Sequence, residues 1–378
     1  MKKIIIFILL ILFCFFKVNA AELTNYAASA VLIEPTTKKI IYELDKDEQR
    51  PPASMTKLMT MLLIMEALDD GRIHLEDKVI ISDNASGMGG SQVFLESGME
   101  IEVKQLLKGI AIASGNDAAV AMAEYIAGTT EEFVNMMNDK VSELRLQNTH
   151  FVNVHGLDAD GHYSSAYDMS MIATELLNYP EILSYTSLYE DYLEKPDGTK
   201  TWLVNTNKLV RFYSGVDGLK TGYTSTAGYC LTATASKNDI RFISVVMGED
   251  TSEHRSADTT SLLNYGFSTY KLNTILNTDN VVGEINVKKG KQSSVKIVPL
   301  ESVTDLIKQN EKKDYSYNIN YTNTTAPLLK GDVVGNLEVI DNNGELVKVI
   351  NLTVQEDVYK HSFGSLFVKC LKRIINGY

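Results

Sequence analysis

Cysteine is scarce in this sequence, with three residues in a chain of 378. Cys14 lies in an N-terminal apolar run with no small residues beside it, which is not the pattern of a lipid-modified cysteine. Cys230 falls in a predicted core strand and Cys370 in the C-terminal tail, so no disulfide framework is visible. At this length an apolar core is sufficient to stabilise the fold without one.

The sequence also lacks an apolar run long enough to cross a bilayer. The N-terminal run, Ile4 to Phe16, has 13 residues, whereas a membrane-spanning helix needs about 20. Met1-Lys-Lys precedes it and Val18-Asn-Ala20 follows it. These are the basic, apolar and small-residue regions of a secretory signal peptide, so we predict that residues 1–20 are removed on export.

Basic residues are fewer than acidic ones, so the whole chain carries a net charge of −12. Signal removal takes away three lysines and no acid, which leaves −15. Nucleic acid is therefore excluded as a partner. His150, His155 and His162 have spacings that match no common zinc pattern, so we predict no metal and no cofactor.

The last 21 residues reverse the charge, with four basic residues and no acid between Val358 and Tyr378. Their apolar residues recur at helical spacing. This pattern predicts an amphipathic helix over residues 358–378 that lies in a membrane interface. The apolar positions are Phe363, Leu366, Phe367, Cys370, Leu371, Ile374 and Ile375.

Short alternating runs separated by turn residues fill the region before that tail. Examples are Ser294-Val-Lys-Ile-Val and Tyr315-Ser-Tyr-Asn-Ile-Asn-Tyr, with Asn342-Asn-Gly as one of the turns. Such runs predict a small all-β domain over residues 277–356. It contains no catalytic constellation, so a spacer between the membrane and a domain at residues 21–272 is its simplest use.

Ser54-Met-Thr-Lys57 begins a predicted buried helix, since Pro51-Pro-Ala precedes it and an apolar run from Leu58 to Leu68 follows. Residues three apart share a helix face, so Ser54 and Lys57 are predicted neighbours. Serine must lose its proton as it attacks. Lysine can accept that proton if burial or a second cation, such as Lys220, lowers its pKa.

Two further motifs follow at Ser114-Gly-Asn116 and Lys220-Thr-Gly222. Gly115 is predicted to break a helix so that Ser114 can relay protons and the Asn116 amide can bind a substrate carbonyl.

The second of these motifs lies in a run of predicted strands between Leu219 and Met247. A substrate backbone along this strand would gain hydrogen bonds, and Gly222 would allow its close approach. Lys220 and Thr221 would hold a terminal carboxylate.

The three motifs together resemble the D-alanyl-D-alanine carboxypeptidases, the low-molecular-mass penicillin-binding proteins. The likeness extends over most of residues 25–270, in the four segments Gly90–Gly98, Thr149–Leu157, Tyr163–Asp168 and Val216–Tyr223. It implies an α+β fold in which a mostly antiparallel sheet packs with a cluster of helices around Ser54. Val31–Glu34 and Lys39–Glu43 would form an early hairpin of that sheet, and Leu219–Met247 its central strands.

The resemblance implies an activity: removal of the terminal D-alanine from peptidoglycan stem pentapeptides through an acyl-enzyme on Ser54. The N–H groups of Ser54 and Tyr223 would form the oxyanion hole, and Arg255 would lie near the substrate carboxylate. β-Lactam antibiotics would be inhibitors. The enzyme would act on the outer face of the bacterial cytoplasmic membrane, bound to it peripherally.

Three other functions are compatible with the same fold. A D,D-endopeptidase that cuts cross-links would use the same residues. A class A-like β-lactamase needs a glutamate-held water, and its nearest candidate, Glu175-Leu-Leu-Asn178, is one residue short and continues a helix from Ala166. An inactive wall-binding protein would have no need of Ser54, Lys57, Ser114 and Lys220 together.

Overall fold

The computed structural model describes residues 23–362 and, beyond them, residues 364, 367, 368, 371, 374 and 375. The predicted signal peptide lies outside the described residues, and so does much of the helix predicted at 358–378. The described chain divides into two compact units between Ser268 and Thr269. Over the described ranges, none of the helices combines the length and the apolar character needed to cross a membrane.

An antiparallel sheet forms the centre of the first unit, in the order β2-β1-β9-β8-β7. The predicted early hairpin is confirmed by the pairing of β1 with β2. Of the strands predicted to be central, β8 and β9 are interior, but β7 is an edge strand. That part of the prediction is wrong because β9 pairs with β1 and leaves β7 a single neighbour, β8. The strands are β1 (Ser29–Glu34), β2 (Lys39–Leu44), β7 (Val216–Thr224), β8 (Gly228–Lys237) and β9 (Ile240–Glu249).

Helices surround this sheet, and one of them is apolar on every side. This helix, α1 (Lys57–Asp69), packs against α3, α4, α5 and α6. A helix without a polar face is buried, which explains why its first residue, Lys57, has no exposed surface. The others are α2 (Asp83–Ser86), α3 (Val103–Ala113), α4 (Asn116–Ala127), α5 (Thr130–Glu143), α6 (Ala166–Leu176), α7 (Leu183–Thr186), α8 (Leu209–Phe212) and α9 (Ser252–Thr269).

Two small sheets of two strands each and two 3-10 turns complete the first unit. β3 (Lys78–Ile80) pairs antiparallel with β4 (Glu100–Glu102) across the loop that contains α2, and β5 (Glu190–Glu194) forms a hairpin with β6 (Lys200–Val204). The 3-10 turns are Ala53–Thr56, directly before α1, and Pro180–Ile182.

The second unit is all-β, as predicted, with its own apolar core. Its sheets have the orders β10-β13 and β11-β12-β16-β15-β14. Lys313 is half-buried in this unit between Asp305 and Asp341, at 3.2 and 3.1 Å from their carboxylates. The strands are β10 (Tyr270–Leu276), β11 (Gly283–Asn286), β12 (Ser294–Pro299), β13 (Val303–Lys308), β14 (Tyr315–Tyr321), β15 (Gly335–Asp341) and β16 (Leu346–Val354).

Candidate active site

Ser54 lies on the 3-10 turn Ala53–Thr56 and is half-buried. The sequence predicted a helix from this point, and the tighter turn precedes the α-helix by one turn. Ala53 has φ +47°, in the left-handed region, which costs a non-glycine residue roughly 1–2 kcal/mol. The turn therefore depends on its surroundings to hold this conformation.

Two glycines supply those surroundings. A Cβ on Gly222 would lie 2.8 Å from the carbonyl oxygen of Pro52, and one on Gly156 would lie 1.8 Å from that of Ala53. Close approach of a substrate to Gly222 stays a prediction. The contact with the serine turn is a separate requirement for glycine at this position.

The Lys57 side chain reaches the serine. Its Nζ donates to Ser54 Oγ at 3.0 Å, to Asn116 Oδ1 at 2.7 Å and to the His155 carbonyl at 2.7 Å. Burial holds the pKa of Lys57 well below its usual range, and the charge of Lys220 lowers it further. Both influences act in the direction that a neutral, proton-accepting amine requires.

Ser114 and Asn116 follow the end of α3. The helix stops because Ser114 itself adopts the left-handed conformation, with φ 64° and ψ 30°. Gly115 has an ordinary φ of −57°, so the prediction that it breaks the helix by its flexibility is wrong. Its small size is needed instead, since a Cβ there would lie 2.9 Å from Asp117 Oδ1.

The side chains of the two motif residues differ in how they are held. Asn116 Nδ2 donates to the Gly89 carbonyl at 2.7 Å, which fixes the amide so that its oxygen faces Lys57. The buried Ser114 hydroxyl has no hydrogen-bond partner among the residues that the structure describes. It is therefore available for proton exchange.

Lys220 is fully buried on β7, and its Nζ donates to the Thr221 carbonyl at 3.0 Å. Burial lowers the pKa of Lys220 to about 7, and the nearby charge of Arg255 contributes to the shift. The Thr221 hydroxyl donates to Thr206 Oγ1 at 2.6 Å. The site thus combines a serine hydroxyl held by a buried amine with a second buried lysine.

Comparison with known proteins agrees with this constellation. Residues 16–251 match the family model described as D-alanyl-D-alanine carboxypeptidase, and residues 270–360 match that of the penicillin-binding protein 5 C-terminal domain. The D-alanyl-D-alanine carboxypeptidase DacF of Bacillus subtilis is 50% identical over 347 residues, which cover 91% of this chain and 89% of that protein. The chain belongs to the D-alanyl-D-alanine carboxypeptidases.

Solved structures of penicillin-binding proteins share the fold. Penicillin-binding protein 5 from Haemophilus influenzae has a TM-score of 0.76 and 34% identity, with 89% of this chain and 98% of that chain covered. Ampicillin-bound penicillin-binding protein D2 from Listeria monocytogenes has a TM-score of 0.58 and 31% identity, with 64% of this chain and 97% of that chain covered. The chain is therefore a serine-type D-Ala-D-Ala carboxypeptidase with the predicted α+β fold.

The structure brings Arg255 and Tyr223 to the same region of this carboxypeptidase. Arg255 lies in α9, is 7% exposed, and acts on the pKa of Lys220. Its guanidinium lies 5.9 Å from the centre of the Tyr229 ring, and that ring lies 4.3 Å from the Tyr223 ring. The Tyr223 side chain is exposed, while its backbone follows Gly222 and so lies next to the serine turn.

Asp117 is a supporting residue that the sequence analysis missed. It is 1% exposed, and its carboxylate accepts hydrogen bonds from the backbone N–H groups of Val93 and Leu95. In the same loop, the Ser91 carbonyl accepts a hydrogen bond from the Asn116 N–H at 2.7 Å. A carboxylate at the start of the otherwise apolar helix α4 was the available signal.

The three histidines take part in hydrogen bonds, His150 and His155 within their loop and His162 also to the serine turn. His162 Nε2 lies 2.8 Å from Thr56 Oγ1, and His150 Nδ1 lies 2.7 Å from the Gly161 carbonyl. Burial lowers the pKa of both His155 and His162 to about 4, so both are neutral at physiological pH. Across the described residues no three His, Cys, Asp or Glu side chains form a potential metal site.

Glu175 lies in the last turn of α6, as the helical pattern predicted. The Asn178 that follows it lies beyond the end of that helix. Glu175 is half-buried and Asn178 is exposed, so the pair lies at the surface of a helix end.

Proposed function

We propose that Ser54 is the acylated nucleophile and that Lys57 in its neutral form accepts the Ser54 proton. The 3.0 Å contact between Lys57 Nζ and Ser54 Oγ, together with the full burial of Lys57, carries this proposal. The new Oγ–carbonyl bond forms at the penultimate D-alanine. The peptide C–N bond then breaks, the terminal D-alanine leaves with a proton, and water hydrolyses the ester.

Ser114 and Asn116 serve proton transfer and placement in this scheme. The Ser114 hydroxyl passes a proton between Lys57 and the leaving nitrogen, which its lack of a fixed partner supports. Asn116 orients Lys57 through its oxygen, and the remaining amide proton is directed to a substrate carbonyl.

Lys220, Thr221 and Arg255 bind the carboxylate of the terminal D-alanine. Two buried cations and a hydroxyl provide charge-assisted hydrogen bonds there. Gly222 keeps β7 against the serine turn, so that the N–H groups of Ser54 and Tyr223 form the oxyanion hole. No metal or cofactor takes part in this mechanism.

The substrate is the peptidoglycan stem pentapeptide, and β-lactam antibiotics acylate the same serine. The ampicillin-bound relative from Listeria monocytogenes supports the second statement. A β-lactam resembles the peptide in presenting an acyl carbon and a carboxylate at the two ends of this site.

The enzyme is exported through its 1–20 signal peptide and is held on the outer face of the cytoplasmic membrane. The exposed apolar side chains of Phe367, Leu371, Ile374 and Ile375 support a tail that lies in the membrane interface. Residues 277–356 separate that anchor from the catalytic residues 21–272. Deletion of residues 358–378 should release a soluble, fully active enzyme, and retention on anionic vesicles would contradict the anchor.

Mass spectrometry of the protein after treatment with a β-lactam tests the central assignment. The adduct is expected on the peptide that contains Ser54, and Ser54→Ala should abolish it. Ser114→Ala serves as the matched control, because it removes the other serine of the site and should slow labelling without moving the adduct. An adduct on Ser114 would overturn the assignment.

A further inference from the structure

The segment Asn205–Asn207 connects β6 to α8 beside the proposed carboxylate site. Asn205 is 3% exposed, and its Nδ2 donates to the carbonyls of Thr186 and Leu188 at 3.0 and 2.8 Å. Its Oδ1 accepts from the Asn207 N–H at 2.8 Å. The first residue of this segment is therefore fixed by its side chain.

Asn207 fixes the other end. It is 2% exposed, its Oδ1 accepts from the Leu209 N–H at 3.1 Å, and its Nδ2 donates to the Gly218 carbonyl of β7 at 3.0 Å. Two buried asparagines with directional bonds thus hold the residue between them, Thr206, which is exposed.

Thr206 faces the motif strand. Its Oγ1 accepts the hydrogen bond from Thr221 at 2.6 Å, and its N–H donates to the Ile112 carbonyl at 3.3 Å. Within the described part of the chain, no acceptor receives the proton of the Thr206 hydroxyl. That proton is available to a ligand.

The open edge of β7 explains why this position faces a ligand. The carbonyls of Asp217 and Gly218 are covered by the side chains of Thr186 and Asn207, at 2.8 and 3.0 Å. Thr206 directly precedes Asn207 in the chain. It contacts Thr221, which lies farther along β7 than Asp217 and Gly218 do. It therefore lies where the side-chain cover of the edge ends and a bound peptide would begin.

We infer that Thr206 is a substrate-binding residue whose hydroxyl donates a hydrogen bond to the terminal carboxylate of the peptide. The inference rests on the proposed placement of that carboxylate at Lys220 and Thr221. Because Thr221 donates to Thr206, the Thr206 hydroxyl is polarised and becomes a stronger donor. In this arrangement the single proton of the Thr221 hydroxyl is donated to Thr206. The Thr206 hydroxyl is therefore the donor that reaches the carboxylate, alongside the two cations.

Two thioester substrates test this role. They share one acyl-D-alanyl group, and the leaving group ends in a carboxylate in the first and in a neutral amide in the second. Thioesters are reactive enough for the neutral one to be measured. Thr206→Val should lower kcat/KM for the carboxylate substrate roughly tenfold to hundredfold, mainly through KM, since a hydrogen bond to a charged group is lost. It should lower kcat/KM for the amide substrate by much less, because a neutral amide oxygen accepts a weaker hydrogen bond.

Two further variants serve as controls. Thr206→Ser keeps the hydroxyl and should retain near wild-type kinetics. Thr199→Val removes a threonine hydroxyl that makes a 2.7 Å bond to Asp197 in an exposed turn, and should change neither substrate. Thermal unfolding confirms that each variant is folded.

The outcomes separate this inference from the proposed function. An equal loss on both thioesters would assign Thr206 a structural role and overturn the direct contact, as would no loss on either. If the wild-type enzyme hydrolyses neither thioester and forms no β-lactam adduct, the proposed function fails, and the inference fails with it.

Discussion

Lysines with little exposed surface occur in both units, and their surroundings are opposite. In the second unit, burial lowers the pKa of Lys313, but hydrogen bonds to Asp341 and Asp305 outweigh it and leave the pKa raised. In the first unit, Lys57 and Lys220 have no carboxylate partner within salt-bridge distance among the described residues, and both pKa values are lowered. A buried lysine between acids stabilises a fold, whereas one beside other cations can exchange a proton.

The largest effect is expected for Lys57. Lys57→Ala should keep substrate binding but lower the acylation rate roughly 10²–10⁴-fold, because the general base is removed. Lys57→Arg should lower the acylation rate by a similar factor, since a guanidinium does not deprotonate in proteins. Rapid-mixing kinetics with a chromogenic β-lactam measures both, and an active arginine variant would refute the proton-acceptor role.

Removal of Lys313 should affect stability instead of chemistry. Lys313→Met removes the cation that Asp305 and Asp341 share, which should lower the free energy of unfolding by more than the loss of an exposed ion pair does. Hydrogen exchange should therefore accelerate in β13 and β15, while acylation of Ser54 is unchanged.

The matched control for Lys313 is Lys348, whose ion pair with Glu301 is exposed on both sides. Lys348→Met should cost no more than about 1 kcal/mol. Equal losses in the two variants would contradict the distinction between buried and exposed pairs. Lost acylation in Lys313→Met would contradict the separation of stability from chemistry.

The smallest effect concerns pH. The positive charge of Lys220 lowers the pKa of Lys57, so Lys220→Met should raise it. A larger fraction of Lys57 is then protonated at a given pH, and the acid limb of the acylation profile should move to higher pH. The shift is partial, because burial is the main cause of the lowered pKa and remains in the variant. Acylation at saturating β-lactam across pH 5–9 measures it, and an unmoved limb would show that the two amines are uncoupled.

Sequence reasoning was most successful for features that depend on residues close together in the chain. The Ser54–Lys57 contact follows from helical spacing, and the first hairpin follows from alternation and a turn. The edge position of β7 could not be predicted, because it depends on which strand occupies the far side of β9. The bond from Lys57 to the His155 carbonyl likewise joins segments that are distant in the chain.

Two glycines of the site show the same limit. Gly115 was expected to break the helix by its flexibility, which is wrong, and the contact of Gly222 with the serine turn was not foreseen. Contacts with Asp117 and with Pro52 require these glycines, and such contacts exist only in the folded chain. Thr206 was missed for a related reason, since a threonine between two asparagines has no distinguishing pattern of its own.

The serine turn has a consequence for the timing of activity. Ala53 keeps its unfavourable conformation only while Gly156 and Gly222, from two distant stretches of chain, press against it. A partly folded molecule that lacks either contact has no positioned nucleophile. We therefore expect newly made chains to be inert until the first unit is complete, so that covalent labelling by a penicillin detects only molecules that have finished folding.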